Sequence, residues 1–354
     1  MSVTPHLLSD FGTSSLTPEN ALQSFVIDKD DPGVGYGVFQ HNSGKETWIV
    51  KYNYDVSNAD AKQNHITPVS NFKIGIGAES GLGAGHSGSI QVYHRNGQTY
   101  LIVATKMTAT GGTHKYATQL TRIPVSDFGN NNRAVPYDEL KRIGSLQNVG
   151  GSSLGTPDRV EFAIDYCEEK IAVWVFDPKT KSRMALYNLD DLDALFNKAN
   201  PEITIKGTSY GLVSNFLGYT KAEMFDLYDV TKEKWDHRSL QGLALTSAGS
   251  VYVACENGVG DPKKTSGAKG IWKFKVGAGD SGKPTRLDNN VWSEYTAGVV
   301  KDANSANKTK VGVEMENLQI IGGELYLAVT YHDANNGVAH LDKNRLYHFD
   351  KTLI

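Results

Sequence analysis

The chain has 354 residues, and its 36 Lys and Arg against 39 Asp and Glu give a formal net charge of −3. That near balance removes the basic face on which nucleic-acid binding rests, and no apolar run approaches the roughly 18 residues that span a bilayer. Neither a nucleic-acid partner nor a transmembrane segment is expected, and two cysteines are too few for a disulfide framework.

The opening M-S-V-T-P-H-L-L-S-D-F-G (1–12) has no basic n-region and no 7–15-residue apolar core, so it is not a standard signal peptide. With 36 Gly and 17 Tyr, the rest of the chain alternates short β-branched and aromatic runs with Gly, Asn and Asp clusters, which is an all-β pattern. Five copies of one unit follow in order. Each has a short alternating strand, a tight turn and a second strand rich in Tyr, Val and Ala. The paired strands are S-F-V-I-D (24–28) with G-Y-G-V-F (35–39), S-I-Q-V-Y (89–93) with Y-L-I-V-A (100–104), and E-F-A-I-D (161–165) with I-A-V-W-V (171–175). The last two are G-L-A-L-T (242–246) with V-Y-V-A (251–254), and N-L-Q-I-I (317–321) with L-Y-L-A-V (325–329). Asn96-Gly97 and Gly322-Gly323 supply the positive φ values that two-residue hairpin turns require. A third strand follows in each copy, at 46–52, 119–125, 183–189, 270–276 and 345–350.

The equivalent residues Phe25, Ile90, Phe162, Leu243 and Leu318 are 65, 72, 81 and 75 residues apart. Repeats of this size with three or four strands fit propeller blades, longer than the roughly 40–45 residues of a WD40 unit. The expected fold is a single five-bladed β-propeller domain over residues 1–354, with outer strands in segments such as 69–77 and 140–146. The fifth copy has no residues left for an outer strand, so 6–11 is expected to join it and close the ring, removing an exposed edge. Helical signals are few. Leu192, Leu195 and Phe196 mark a helix over 190–199, Thr220 to Glu223 reads as a capping box before M-F-D-L-Y, and 207–219 reads as a loop over one face.

In a propeller the first strand of each blade lines the central channel. Just before its apolar alternation the five copies carry Gln23, His86 (or Ser87), Glu161, Gln241 and Glu316, with Arg159 and Glu314 one step further out. Converging on one funnel, these make a concave site with a few polar groups, the usual form of a ligand pocket. The competing reading is a solvated channel whose groups pair with one another, Arg159 with Glu161 or Glu314. Glu161 and Glu316 are also the pair that glycoside hydrolysis needs, one protonated and one ionised, about 5–9.5 Å apart. Five-bladed propellers of the arabinanase and fructosidase type, however, place an Asp at the start of the first blade, where this chain has Gln23.

Other motifs carry little. No H-E-x-x-H or Cys-x-x-Cys spacing appears, so no metal site and no cofactor are expected. His332, Asp333 and His340 flank a D-A-N-N-G turn of a kind that usually binds nothing. The glycine-rich stretch 75–86 lacks the G-K-[ST] ending of a phosphate loop. Cys167 and Cys255 sit in apolar strand-like runs and read as buried thiols, with a disulfide between them left open. Trp48, Trp174 and Trp272 read as core, while Trp235 and Trp292 are either core or platforms for sugar rings.

The segment V-E-M-E-N-L-Q-I-I-G-G-E-L-Y-L-A-V-T-Y-H (313–332) is similar to the closing part of the helveticin J family, large heat-labile bacteriocins of lactobacilli. L-Q-G-L-A-L-T-S-A-G-S-V-Y-V-A (240–254) resembles that family's preceding repeat, with shorter likenesses at G-H-S-G-S (85–89), V-E-F-A (160–163) and L-L-S-D-F (7–11). The resemblance implies a secreted or cell-surface antibacterial protein with a propeller-type fold. It brings no set of catalytic residues, and the long insert between the third and fourth copies departs from the family. Three functions follow as expectations: a bacteriocin-like protein that binds a cell-envelope component, a glycan above all, through the funnel; a glycoside hydrolase of the five-bladed type acting on cell-wall or surface polysaccharide; or a structural surface-layer-associated protein.

Overall fold

A computed structural model of the chain describes residues 6–11, 14–17, 21–41, 44–54, 65–75, 83–108, 115–129, 133–136, 139–144, 146–151, 155–176, 181–197, 221–226, 239–256, 270–275, 285–286, 311–333 and 340–350. The protein is all-β, built from successive antiparallel sheets. The chain opens with β1 (His6–Phe11). Sheet one is β2 (Leu22–Ile27), β3 (Val34–His41), β4 (Glu46–Asn53) and β5 (His65–Ile74). Sheet two is β6 (Ile90–Arg95), β7 (Gln98–Met107), β8 (Ala117–Pro124) and, after the short β9 (Arg133–Val135), β10 (Arg142–Ile143). The intervening β9 runs parallel to β5 of sheet one. Sheet three is β11 (Arg159–Ile164), β12 (Lys170–Phe176), β13 (Lys181–Asn188) and, beyond helix α1 (Leu189–Asn197), β14 (Lys221–Asp226). Sheet four is β15 (Ser239–Leu245), β16 (Ser250–Glu256), β17 (Gly270–Lys275) and β18 (Thr285–Arg286). Sheet five is β19 (Val311–Ile321), β20 (Glu324–Asp333) and β21 (His340–Asp350).

The fourth strand of sheet five is β1. It pairs antiparallel with β21, His6 opposite His348 and Asp10 opposite Arg345, as the sequence led us to expect. Its end also touches β5, Phe11 opposite Ile66 in parallel register, so sheets five and one become continuous. An edge that would otherwise expose unpaired backbone groups is thereby covered.

The strands read as near-continuous apolar runs because both faces of each sheet are buried. Alternate residues then serve two different cores. On β11, Phe162 and Ile164 face sheet two while Ala163 faces sheet four; on β12, Val173 and Val175 go one way and Trp174 and Phe176 the other. Among the described residues, five clusters lie between sheets one and two, two and three, three and four, four and five, and five and one. The first strands follow the same order: β2 packs on β6, β6 on β11, β11 on β15, β15 on β19, and β19 on β2.

Side chains stitch these first strands together. Ser24 Oγ accepts from Ile90 N at 3.2 Å, and Gln91 Oε1 accepts from Ile164 N at 3.3 Å. Gln319 replaces a missing ladder partner for Ile27, accepting from its N at 2.8 Å and donating to its O at 2.7 Å. Between β15 and β19 the backbones themselves close in: a Cβ on Gly242 would lie 2.7 Å from Asn317 Cα and 2.7 Å from Leu318 N. Because both obstacles are backbone, Gly242→Ala is expected to cost about 1–3 kcal/mol of overpacking. Gly323→Ala, at a turn with open space around it, should cost less than about 0.5 kcal/mol. Urea denaturation of the two variants checks this.

Helix α1 forms where expected and is described over Leu189–Asn197. Asn188 Oδ1 caps it by accepting from Asp191 N at 3.2 Å, Asp190 and Asp191 complement its N-terminal dipole, and Leu189, Leu192 and Phe196 turn inward. Asp193 anchors it to sheet two, accepting from the Tyr93 hydroxyl and pairing with Arg122 at 2.6 Å. Three expectations need correction. Residues 221–226 are strand, not helix: Ser182 lies opposite Phe225 and Leu186 opposite Lys221, so the open edge of β13 outweighs the local capping signal. Cys167 is free and exposed at the β11–β12 turn rather than a buried hydrophobe, because the strand ends three residues earlier, at Ile164. Trp174 is fully buried as expected, whereas Trp48 is only half-buried, packing against the core between sheets five and one with Lys73 Nζ 3.7 Å from its ring centroid. The stretch 207–219, Trp235, Trp292 and the side chains of Cys255 and Trp272 lie outside the described residues.

Candidate functional site

The starts of the first strands carry the polar residues singled out from the sequence, in two groups. The first is defined by β-bulges. On β2, Leu22 pairs with Phe39 and Ser24 with Val38, which leaves Gln23 as the extra residue. On β15, Leu240 pairs with Cys255 and Gly242 with Ala254, leaving Gln241. On β19, Met315 pairs with Val329 and Asn317 with Ala328, leaving Glu316. A bulge adds one residue to one strand and re-aims its side chain, a device common beside binding sites. These three strands belong to sheets four, five and one, which are consecutive. Gln23 and Glu316 are buried; Gln241 and Glu314 are half-buried.

The wall around this group is held by side-chain to backbone bonds. Thr330 Oγ1 donates to Asn344 Oδ1 at 2.8 Å and also lies 3.2 Å from Leu22 O, and Asn344 Oδ1 accepts from Leu22 N at 3.2 Å. Asn317 Nδ2 donates to Phe25 O at 2.6 Å. Gln23 is thus fixed on both sides, and its own Nε2 donates to Ala21 O at 3.3 Å.

The second group lies between sheets two and three. There β11 runs without a bulge, Arg159 opposite Phe176 and Glu161 opposite Trp174. Two residues apart on a strand, Arg159 and Glu161 share a face, and Arg159 Nε meets Glu161 Oε1 at 2.5 Å. The other carboxylate oxygen accepts from Ser89 Oγ, which in turn accepts from Phe162 N at 3.3 Å. Arg159 lies over the Tyr116 ring, 4.4 Å from its centroid, and the His86 ring stacks on Tyr116 at 5.0 Å. His86, Arg159 and Glu161 therefore come together through Tyr116, a residue the sequence did not single out. Glu161 has no solvent-accessible surface. Its ion pair with Arg159 is one of the pairings anticipated for a channel that only solvates itself.

A third constellation was not anticipated. The β2–β3 turn, the end of β6 and the β11–β12 turn meet, bringing Asp28, Asp30, His94 and Glu168 together. His94 Nδ1 lies 3.0 Å from Asp30 Oδ2 and 3.0 Å from Glu168 Oε1, while its Nε2 lies 3.2 Å from Asp28 Oδ1. Lys29 Nζ approaches Asp30 at 3.1 Å and Glu168 at 3.4 Å. Burial pulls the His94 imidazole down, but its hydrogen bond to Glu168 and the charges of Asp28, Glu168 and Asp30 outweigh this and hold it above the ordinary histidine value. The run D-K-D-D at 28–31 was the one local signal; His94 and Glu168 join it only through the order of the sheets.

The arrangement defines an all-β protein of several sheets that gathers polar groups on its first strands. No helix among the described residues is long and apolar enough to cross a membrane. The chain belongs to the bacteriocin helveticin-J family, whose model matches residues 32–352. No curated protein matches it. Among solved structures it is similar to an α-L-arabinofuranosidase from Podospora anserina, with 12% identity over 99% of this chain and 98% of that one, at a TM-score of 0.43. It is also similar to an arabinoxylan arabinofuranohydrolase of glycoside hydrolase family 43 from Bacillus subtilis, with 11% identity over 94% of this chain and 64% of that one, at a TM-score of 0.39. A putative 6-phosphogluconolactonase from Bacteroides fragilis matches with 11% identity over 97% and 82% of the two chains, at a TM-score of 0.33.

Proposed function

We propose that the chain is a single five-bladed β-propeller, secreted or held at the cell surface, that acts against bacteria by binding a glycan of their envelope through the mouth of its central funnel. The cyclic order of first-strand contacts and the five inter-sheet cores support the propeller. Family membership supports the antibacterial role. The observation that carries the binding site is the set of bulges at Gln23, Gln241 and Glu316 on three consecutive first strands. Amide and carboxylate groups at one level share hydrogen bonds with sugar hydroxyls without needing a high net charge. Gln241 and Glu314 have surface open to solvent, and Gln23 and Glu316 lie deeper.

A glycosidase would need one of its two carboxylates to act as a proton donor to substrate. Glu161 is sealed from solvent and engaged by Arg159 and Ser89, which argues against that service. Binding is tested by pull-down on envelope glycans with the wild type and with Gln241→Ala combined with Glu314→Ala. Loss of two or three hydrogen bonds at about 1 kcal/mol each is expected to weaken retention by tenfold or more. Unchanged retention by the folded variant would refute the assignment of the site.

A further inference from the structure

We propose that Asp30, His94 and Glu168 form a site for one divalent transition-metal ion, of the zinc or manganese kind, that clamps the turn ends of sheets one, two and three. This site is distinct from the bulge residues, which stand at the beginnings of the first strands. Asp30 lies in the β2–β3 turn, His94 next to the last residue of β6, and Glu168 in the β11–β12 turn. One ion would therefore cross-link three sheets already joined at this end by bonds from His94 N and Arg95 to Glu168 and by the ion pairs of Lys29.

Four features support it. The three donor atoms lie within 4.8 Å of one another, and the spacing about His94 fits: atoms bound at about 2.0–2.2 Å to one ion are separated by about 3.0–3.5 Å along the edge of its coordination shell. His94 Nδ1 stands at 3.0 Å from both Asp30 Oδ2 and Glu168 Oε1. The ring is held for this role, since Asp28 Oδ1 engages Nε2 at 3.2 Å, the carboxylate–histidine arrangement that orients a ligating imidazole. Asp28 is itself buried and fixed, its Oδ1 accepting from Asp30 N at 3.0 Å and Asp31 N at 3.3 Å. Charge also fits. Among the described residues, the carboxylates of Asp28, Asp30, Glu168 and Asp190 form ion pairs with two permanent cations, Lys29 and Arg95, so a divalent ion would help balance the cluster. Access is open, because a cavity of about 790 Å³ borders the cluster at Arg95, Glu168 and Asp190. Lys29, a long and partly exposed side chain, pairs with Asp30 and Glu168 and lies over the Tyr166 ring, and it would give way to the ion.

The donor set selects the ion. One imidazole with two carboxylates suits zinc or manganese, whereas calcium takes six to eight oxygens. The test uses the full chain, stripped with a chelator and dialysed, then titrated at pH 7.5 with Zn²⁺, Mn²⁺ or Ca²⁺. Bound metal is read by equilibrium dialysis and Tm by thermal denaturation. The expected result is one equivalent of Zn²⁺ or Mn²⁺ per chain with a rise in Tm of roughly 4 °C or more at saturation. Binding should be at least tenfold weaker in Asp30→Asn and in His94→Gln. The Asp30 side chain is mostly exposed, so Asp30→Asn should keep the metal-free Tm of the wild type. Absence of bound metal, binding of Ca²⁺ alone, or Zn²⁺ and Mn²⁺ binding that persists when Asp30→Asn and His94→Gln are combined would each overturn the site. Because the readout is metal and Tm, its failure leaves the glycan-binding reading untouched.

Discussion

Arg159→Met is expected to destabilise the protein by about 3–5 kcal/mol, the cost of leaving a buried charge without its partner. Glu161 has no exposed surface, and Arg159 Nε at 2.5 Å is its charged partner. Ser89 supplies a hydroxyl to the other oxygen but no charge. The substitution also removes the guanidinium from the Tyr116 ring, a contact worth about 0.5–2 kcal/mol. Replacing both partners, Arg159→Met with Glu161→Leu, should recover most of the loss, since apolar residues of similar volume often match a buried pair. Urea denaturation of the single and double variants reads this directly. A single variant within about 1 kcal/mol of wild type would mean that Glu161 is solvated, and would reopen its candidacy as a functional acid.

The second large effect is expected at Phe11, where Phe11→Ala should cost about 3–5 kcal/mol, as for other buried aromatic truncations. Phe11 ends the strand that completes sheet five, yet its ring lies in the core shared with sheet one. It meets Phe25 edge-on at 4.7 Å and Tyr52 at 5.5 Å. The junction between the last and first sheets therefore depends on a side chain contributed by the N-terminal strand. Loss of stability together with faster proteolysis of residues near the N-terminus is the expected pattern. A cost below about 1 kcal/mol would show that the two sheets hold without it.

The repeats were legible because each strand is buried on both faces. F-A-I in β11 and L-A-L in β15 leave an unbroken apolar signature, and Asn96-Gly97 marks its turn with positive φ at both residues. Gln23, Gln241 and Glu316 were legible as polar residues at the strand starts. Their being bulges was not, because a bulge is defined by the partner strand. For the same reason Glu161 was aligned with them although sheet three has no bulge there, and it falls one position out of step into an ion pair. The strand at 221–226 was misread because its pairing energy comes from β13, distant in sequence and invisible to a local capping rule. The His94 cluster was missed because its members come from three turns that only the assembled sheets bring together.

The central claim, envelope binding through the funnel mouth without hydrolysis, is tested most directly by incubating the purified protein with isolated lactobacillus cell walls. Sedimented protein and released soluble sugar are measured together, for the wild type and for Glu316→Gln. The account predicts that the wild type sediments with the walls, that Glu316→Gln sediments less, and that neither releases sugar. Failure of the wild type to sediment, or sugar release that Glu316→Gln abolishes, would contradict it.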